Sequence, residues 1–586
     1  MKRSFTQSLF ALLFILSGSS LIAQDIVKVS PGYGVIEDAI YEHGGGVIYQ
    51  LEAGGWYGLN SIIEVSDTTL GVGKGLVIIG EETDGLPATI QIGNDVGGAV
   101  FGALFSVFSD LTLKNLFLSA MDFSGVAGSG ILSIGDSVRV EIDNCVFDPA
   151  GVAYTFSGAH PSDGSSFFLT NSLIMNNGHM QGPNDGGWYA STAWDTLWVE
   201  NNTFVSSGQD FIGTQFHNVP NNKFIWINHN TFLWHDVWIK KSYNDKDFFF
   251  TNNLMHDISI FSQIYPWGQF FPDYKKGNTM LSLTCIDTLE LSGGGYETLP
   301  SERKFFWEYN LQYNSPELRT LPELAKQNGS VQYLIPMKWD DDTPDYYTAG
   351  VEVVSPADSS RETRILDDDV NWPYMKYDNN WYDIDPLYTD QQIYATNDSM
   401  IKNVVKWYGA VVWGNGDVVD GKPSYMWEVD KWAGTPNNEF PAVWPRFDGT
   451  YTNAELLTAS IEGLPLGDLN WFPAKKAQWL RHKEAIEDHI LALNESRYVG
   501  VGIEKSVVTR SFTVYPNPAS NVLNINSDAA LSHVTIYDVT GKMVERYLMD
   551  GKRNSEIGIS PLKSGVYFIE AESLSGETFS TKFVKK

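Results

Sequence analysis

The stretch FIWINHNTF, Phe224–Phe232, has several relatives along the front half of the chain. Each relative is a short run of alternating apolar residues, then a polar residue, an asparagine or its substitute, and a second apolar run. The asparagine position, which we call the asparagine column, recurs at spacings of 29, 27, 30, 28 and 23 residues. Its members are Asn115, Asn144, Asn171, Asn201, His229 and Asn252. Recurrence at about 20–50 residues predicts a solenoid, in which each repeat forms one coil stacked on its neighbours.

The alternation within each repeat predicts a strand with one face toward the interior of the solenoid. Ile225 and Ile227 then face inward, and the residue between them faces outward. This outward position, which we call the aromatic stripe, is aromatic in five successive repeats: Phe168, Trp198, Trp226, Phe249 and Phe306. Either another part of the chain covers a stripe this apolar, or the stripe stacks on sugar rings. We favour a cover, because residues 315–500 supply apolar and aromatic material.

The asparagine column falls at the bend that follows each strand. Asparagine tolerates the left-handed backbone conformation and hydrogen-bonds to the local backbone. We therefore predict a structural column, with side chains bonding from coil to coil, rather than a binding site. Cys145 directly follows the column and is expected to pack as a small apolar residue. Cys285 lies five coils further on, too far for a disulfide when neighbouring strands are ~4.7–4.9 Å apart.

The start of the repeat region has a helix-like patch at residues 35–42, followed by three glycines and a strand. This arrangement resembles the beginning of pectin-lyase-like right-handed parallel β-helices, in which a small helix caps the first coil. The resemblance implies an all-β fold, with a right-handed parallel β-helix over residues 24–314. Residues 315–500 lose the repeat. We expect them to form an irregular region packed on the β-helix, with a helix near residues 473–495.

The first 23 residues have a basic start, an apolar run from Leu9 to Leu16 and small residues before Ala23. This pattern predicts a secretory signal peptide. No later stretch is apolar over the ~18 residues that a membrane helix needs, so we expect no transmembrane segment. The net charge of −31 argues against nucleic acid as a partner, because binding phosphates requires lysine and arginine.

Residues 511–586, which follow a linker at 501–510, contain short alternating strands that predict a small β-sandwich. Three motifs are YPNP at Tyr515–Pro518, DVTGK at Asp538–Lys542 and SGVY at Ser564–Tyr567. Together with the lysine-rich end they resemble the type A C-terminal sorting domain of the type IX secretion system of Bacteroidota. The resemblance implies that the secretion machinery is a partner, and that the protein reaches the outer-membrane surface or is released.

One repeat is similar to a catalytic motif. Trp226, Ile227 and His229 resemble the WIDH motif of pectate lyases, although Asn228 stands in place of the aspartate. The neighbouring repeats show the same segment in other coils, which favours coincidence. Architecture does not decide between an enzyme and a binding protein, because β-helices serve both.

A lyase of this class uses arginine or lysine as the base, often with Ca²⁺ to neutralise the substrate carboxylate. Arg139 is the only arginine between residues 25 and 302, so the remaining candidates are Lys240 and Lys241. The acidic runs near Asp340 and Asp367 offer oxygen ligands for calcium, but neither has the spacing of a known calcium loop. No metal site is therefore predicted, and the cofactor stays open.

Two insertions between coils, at residues 176–195 and 206–222, carry polar and aromatic residues. Because they leave the same part of successive coils, we expect them to lie side by side as a groove that binds sugars. The candidate catalytic residues are His179, Asp185, Asp210, His217, Lys240 and Lys241. The candidate substrate-binding residues are Trp188, Tyr189, Trp194, Gln209 and Gln215.

The sequence thus predicts a secreted or surface β-helix protein that binds or processes extracellular polysaccharide. A polysaccharide lyase or glycoside hydrolase is one possibility, and a non-catalytic adhesion or structural protein is the alternative. A lysine or paired carboxylates in the groove would favour an enzyme. A groove of aromatic and amide side chains alone would favour a binding protein.

Overall fold

The structure is a computed structural model of the 586-residue chain, which divides into two compact units at residues 1–500 and 501–586. At the ends of several strands it describes the backbone alone. The described residues are 25–94, 98, 100–120, 122, 128, 130–147, 154–158, 164–177, 188–189, 194–207, 212–213, 222–235, 240–241, 245–258, 282–286, 298–320, 335–338, 345–347, 355–359, 370–377, 379–395, 448–496, 512–527, 530–538, 542–549, 551–573 and 578–586.

The first unit is a parallel β-helix, which confirms the predicted fold class. The stacked coils form three parallel sheets of eleven, eleven and nine described strands, and neighbouring strands in a sheet come from successive coils. Sheet 1 contains Ile26–Val29, Ile48–Leu51, Leu76–Gly80, Leu111–Lys114, Arg139–Asp143, Ser165–Thr170, Trp194–Glu200, Asn222–Asn228, Asp245–Thr251, Lys304–Glu308 and Tyr374–Lys376.

Sheets 2 and 3 follow the same coil order. Sheet 2 contains Gly32–Tyr33, Trp56–Gly58, Ala88–Gln91, Leu116–Ser119, Val146–Phe147, Leu173–Asn177, Thr203–Ser207, Thr231–His235, Leu254–Ile258, Leu311–Tyr313 and Trp381–Tyr382. Sheet 3 contains Ile63–Val65, Phe105–Val107, Gly130–Ile134, Tyr154–Gly158, Trp188–Tyr189, Ile212–Gly213, Lys240–Lys241, Ser282–Ile286 and Ser355–Ser359. Ile335–Lys338 and Asp345–Tyr347 form a separate hairpin.

The core consists of equivalent residues stacked from coil to coil. Ile225 and Ile227 are fully buried, as the alternation predicts, and Phe248 and Phe250 take the same positions in the next coil. The ring of Phe250 stacks on that of Trp307 with 3.9 Å between centroids. Burial of apolar surface stabilises the folded state by about 25 cal/mol per Å². Because successive coils bury equivalent positions, the repeat itself builds the core.

The bend after each sheet 1 strand has the predicted conformation. The six residues of the asparagine column have φ between 53° and 57°, the left-handed region that asparagine tolerates better than most residues. Cys145, one residue past the column, is a free, buried cysteine, and burial raises the pKa of its thiol to about 12. It packs as a small apolar residue, as expected.

The main coil-to-coil ladder runs through the residue after the column, which corrects the predicted position. Within the column, one direct bond joins Asn144 Nδ2 to Asn115 Oδ1 at 2.8 Å. The next residue forms what we call the inner ladder, in which each side-chain amide donates to the next at 3.0–3.1 Å. Its members are Asn202, Asn230, Asn253, Asn310 and Asn380. Because Asn380 continues the ladder, the β-helix extends past the predicted end at residue 314 by one more coil.

Residues 448–496, which we call the clasp, pack on the outside of sheets 1 and 2. The predicted helix near residues 473–495 is two helices, Pro473–Leu480 and Lys483–Ser496. Ile490 packs with Trp226, Phe249 and Phe306, which are at most 1% exposed. The clasp therefore buries three of the five residues of the aromatic stripe, as the sequence favours. Trp198 is half-buried beside them, and Phe168, also half-buried, lies under the Arg139 guanidinium.

The clasp covers sheet 2 with apolar side chains that precede its helices. Tyr451, Leu456 and Leu466 form one buried cluster with Leu233 and Leu254 on the outer face of sheet 2. Among the described residues, the first unit also contains short helices at Val35–His43 and Asp67–Leu70 and 3₁₀ turns at Pro300–Glu302, Leu318–Thr320, Leu456–Thr458 and Leu469–Trp471. Within the described part of the chain, no helix is long and apolar enough to cross a membrane.

The second unit consists of two antiparallel sheets around a separate core. Leu523, Ile536 and Ile569 are fully buried in this core. One sheet contains Phe512–Tyr515, Val522–Ser527 and Asn554–Gly558. The other contains Met543–Leu548, Leu531–Asp538, Gly565–Ser573 and Thr578–Lys585.

Candidate functional site

The candidate site lies on sheet 3, whose strands pass through the two polar insertions. Trp188 pairs with Ile212 and Tyr189 pairs with Gly213, so the insertions are neighbours at these residues. In the next coil, Ile212 pairs with Lys240 and Gly213 pairs with Lys241. The parallel register therefore brings an aromatic pair and a lysine pair, from strands about 50 residues apart in sequence, to within two strand spacings, roughly 10 Å.

The register also relates these residues to earlier coils of sheet 3. In earlier coils, the register positions equivalent to Tyr189, Gly213 and Lys241 include Glu64, which is exposed, and Ser106 and Ser133, which are half-buried. The register positions equivalent to Trp188, Ile212 and Lys240 hold residues that are buried in the core: Ile63, Phe105, Leu132 and Phe156. The two sets of positions thus alternate along the sheet 3 strands.

The other predicted site residues have different outcomes. His179, Asp185, Gln209, Asp210, Gln215 and His217 lie outside the described residues, as do the acidic runs near Asp340 and Asp367. The structure contradicts the predicted substrate-binding role of Trp194. It begins a sheet 1 strand and is 1% exposed, with its ring packed edge-on against Phe167 in the core. A side chain in that position is not available to stack on a sugar.

His229, the centre of the apparent lyase motif, is a buried contact to the clasp. Its Nδ1 lies 3.1 Å from the carbonyl oxygen of Gly467, and its Nε2 pairs with the Glu462 carboxylate. Burial lowers the pKa of His229, but the charge and hydrogen bonds of these partners outweigh burial and raise the pKa overall. The imidazole is fully buried and paired, which leaves no room for substrate.

From Asn171 to Asn252, the asparagine column holds the clasp in the same way. Asn252 Oδ1 accepts a bond from the Ile461 amide at 2.9 Å, and Asn171 Oδ1 accepts one from Lys476 Nζ at 2.6 Å. The outward side chains at this bend are therefore a docking strip for the clasp, a role that the repeat alone does not predict.

A buried carboxylate beside the aromatic stripe is a second feature missed from sequence. Glu200 accepts bonds from Trp226 Nε1 at 3.1 Å, Asn228 Nδ2 at 3.0 Å and Lys483 Nζ at 2.5 Å. Burial raises the pKa of Glu200, but Lys483 and these bonds outweigh burial and lower the pKa. The amphipathic helix that carries Lys483 is the sequence signal that could have located the pair.

The described residues contain no group of three or more His, Cys, Asp and Glu side chains arranged to hold a metal ion. The buried pairs His229–Glu462 and Glu200–Lys483 join the clasp to the β-helix.

Comparison with known proteins identifies the second unit. Residues 513–586 match the family described as the secretion system C-terminal sorting domain, which confirms the type IX sorting tail. This tail implies an interaction with the secretion machinery and export to the cell surface or release. No curated protein matches the sequence.

Two solved structures are similar to parts of the chain. One is PorZ of Porphyromonas gingivalis, described as an essential bacterial surface component of the type IX secretion system. It is 21% identical over 13% of this chain and 11% of that chain, with a TM-score of 0.11. The other is AlyGC, a PL6 family alginate lyase, 16% identical over 41% of this chain and 37% of that chain, with a TM-score of 0.27. The chain thus spans well under half the length of either, and neither similarity indicates an activity.

Proposed function

We propose that this protein is exported by the type IX system and engages extracellular polysaccharide on the outer face of sheet 3. The observation that carries the proposal is the distribution of the clasp. It covers the outer faces of sheets 1 and 2 at the coils where sheet 3 carries Trp188, Tyr189, Lys240 and Lys241. Sheet 3 is the third face of these coils, and its strands at residues 188–189 and 212–213 belong to the polar insertions.

The spacing within sheet 3 suits one sugar ring. Tyr189 and Lys241 are separated by one strand, which carries Gly213 at the same register position. Glycine adds no side chain, so a gap of roughly 10 Å lies between the two flanking residues. In the proposal, Tyr189 stacks on the sugar and Lys241 binds an acidic or hydroxyl substituent.

The same lysine would be the base if the protein is a lyase. A lysine whose ammonium is deprotonated can remove the proton next to a uronate carboxyl group, and the leaving oxygen then departs from the adjacent carbon. A hydrolase would instead need two carboxylates at a defined separation. The insertions hold Asp185 and Asp210 as candidates for that role.

The test is a panel of acidic and neutral polysaccharides, scored for both retention and cleavage by the whole exported protein. We expect Lys241→Ala and Tyr189→Ala to weaken retention about tenfold. Lys246→Ala, an exposed lysine on sheet 1, is the matched control and should leave retention unchanged. Cleavage without unsaturated products would refute the lyase and favour a hydrolase, and retention without any cleavage would leave the binding protein. Retention that survives both sheet 3 variants would refute the proposed site.

A further inference from the structure

An exposed aromatic pair lies on the outer face of sheet 2 at the opposite end of the β-helix from the clasp contacts. Tyr33 is 50% exposed, and Trp56 in the next coil is half-buried. Their rings are nearly parallel, with an interplanar angle of 12° and 6.3 Å between centroids. Further along sheet 2, the outward residues Phe117 and Val146 are buried, in the same cluster as the clasp. Tyr33 and Trp56 lie beyond this covered part.

The two rings rest directly on the backbone of a glycine. Gly58 pairs with Tyr33 across sheet 2. A Cβ atom at Gly58 would lie 2.5 Å from Tyr33 Cδ2 and 2.6 Å from Trp56 Cζ2, closer than atoms can approach. Gly58 is not among the glycines with positive φ, so it is needed for space rather than for an unusual backbone conformation. Any other residue here would lift both rings off the sheet.

Further contacts hold the pair in place. Trp56 Nε1 donates to Gln91 Oε1 at 2.8 Å, and Gln91 is itself 6% exposed. The hydroxyl of Tyr33 reaches over Gly93, where a Cβ would lie 3.1 Å away. Rings fixed in this way lose little conformational entropy when a ligand binds. The pair is therefore a preformed aromatic surface rather than two freely rotating side chains.

The polar groups beside the pair match a sugar better than an apolar ligand. The Asn60 side chain is exposed and lies over Gly34, next to Tyr33 in sequence. Glu37 accepts bonds from the backbone amides of Asn60 and Ser61 at 2.5 and 3.2 Å, so a carboxylate lies at this edge. The whole chain carries a net charge of −31, and a negative surface disfavours an acidic ligand.

We propose that Tyr33 and Trp56 form a binding platform for a neutral pyranose of a polysaccharide. A pyranose with equatorial hydroxyls presents an apolar C–H face that packs on aromatic rings, while its hydroxyls radiate toward groups such as the Asn60 amide. The platform is in the first two coils, and the sheet 3 site is in coils six to eight. The two sites are therefore separate, and this platform does not depend on the sheet 3 proposal.

Affinity electrophoresis of the whole protein in gels of hydroxyethyl cellulose, xylan or glucomannan tests the platform. We expect retardation by at least one of these neutral polymers. Tyr33→Ala should weaken the binding about tenfold or more, whereas Tyr33→Phe, which keeps the ring, should stay within about threefold. Tyr41→Ala is the matched control, because Tyr41 is 94% exposed on the helix Val35–His43 of the same coil.

A second variant distinguishes loss of polymer binding at the platform from loss caused by misfolding. Gly58→Ala keeps both rings but displaces them, and should also weaken binding while circular dichroism shows an intact fold. Lys246→Ala, the exposed control lysine on sheet 1, should bind the neutral polymers as the wild type does. The proposal is overturned if no neutral polymer retards the wild type, or if Tyr33→Ala binds equally well. It is also overturned if Tyr33→Ala only converts a dimer to a monomer in sizing experiments.

Discussion

Replacing Asn230 with alanine tests whether the inner ladder, rather than the asparagine column, holds the coils together. Asn230 is fully buried. Its Oδ1 accepts bonds from the backbone amide and the side chain of Asn202, both at 3.0 Å. Its Nδ2 donates to Asn253 Oδ1, Val199 O and Asn228 O at 3.0–3.1 Å. Asn230→Ala removes all five bonds.

The expected loss follows from the groups left without a partner. Asn202 loses the acceptor for two buried N–H groups, and each such group costs about 1–3 kcal/mol. Asn253 Oδ1 keeps a bond from the Asn230 backbone amide at 2.8 Å, so it adds little. The free energy of unfolding of the first unit should therefore fall by about 3–5 kcal/mol. The measurement is urea unfolding followed by tryptophan fluorescence, with a lower midpoint and an unchanged slope.

The matched control is Asn144→Gly in the asparagine column. Asn144 is exposed, has φ of 53° and makes one side-chain bond within the column. Glycine keeps the left-handed conformation, so the loss should be no more than about 1 kcal/mol. A loss below about 1 kcal/mol for Asn230→Ala, or equal losses for the two variants, would refute the ladder as the main coil-to-coil contact.

The clasp gives two further predictions. Ile490→Ala opens a cavity over the aromatic stripe, so the free energy of unfolding should fall by about 2–4 kcal/mol and binding of an apolar dye should increase. Leu480→Ala is the control, because this side chain is 57% exposed, and its free energy of unfolding should fall by at most about 0.5 kcal/mol. Equal losses for the two variants would contradict the cover. The pKa of His229 is raised above its ordinary 6.5, so its stabilisation is complete below pH 6.5 and is lost as the pH rises through the folded-state pKa. Urea midpoints of wild type should therefore fall over this range more than those of His229→Gln, and parallel pH profiles would exclude the charged pair.

The clasp also limits where the β-helix can meet a ligand. It buries Trp226, Phe249 and Phe306 of the aromatic stripe, which from sequence alone could have been a sugar platform. The two sugar sites proposed here lie where the clasp does not pack, on sheet 3 and at the start of sheet 2. A solenoid of this length offers many repeated surfaces, and a packed segment of its own chain selects among them.

Much of the fold is predictable because the determining signals are local and repeated. The alternation around Trp226 and the spacing of Asn201 and His229 predict the strands, the bends and the solenoid. The same repetition identifies His229 as part of the scaffold despite its resemblance to a catalytic motif. Trp194 escaped prediction because it enters sheet 1 at a register shift, where the alternation that assigns faces is interrupted.

The sequence by itself determined the coil, because each repeat carries its own inward residues, its left-handed bend and, from Asn202 onward, its amide for the ladder. It also determined export, since the motifs of the sorting domain are contiguous. Only the tertiary structure decided which outward residues meet solvent. Trp226 and Tyr33 are both outward aromatics on a strand, yet one is buried under Ile490 and the other is half-exposed. The difference lies in the clasp, more than 200 residues away in sequence from either residue, and long-range packing of this kind leaves no mark in the local pattern.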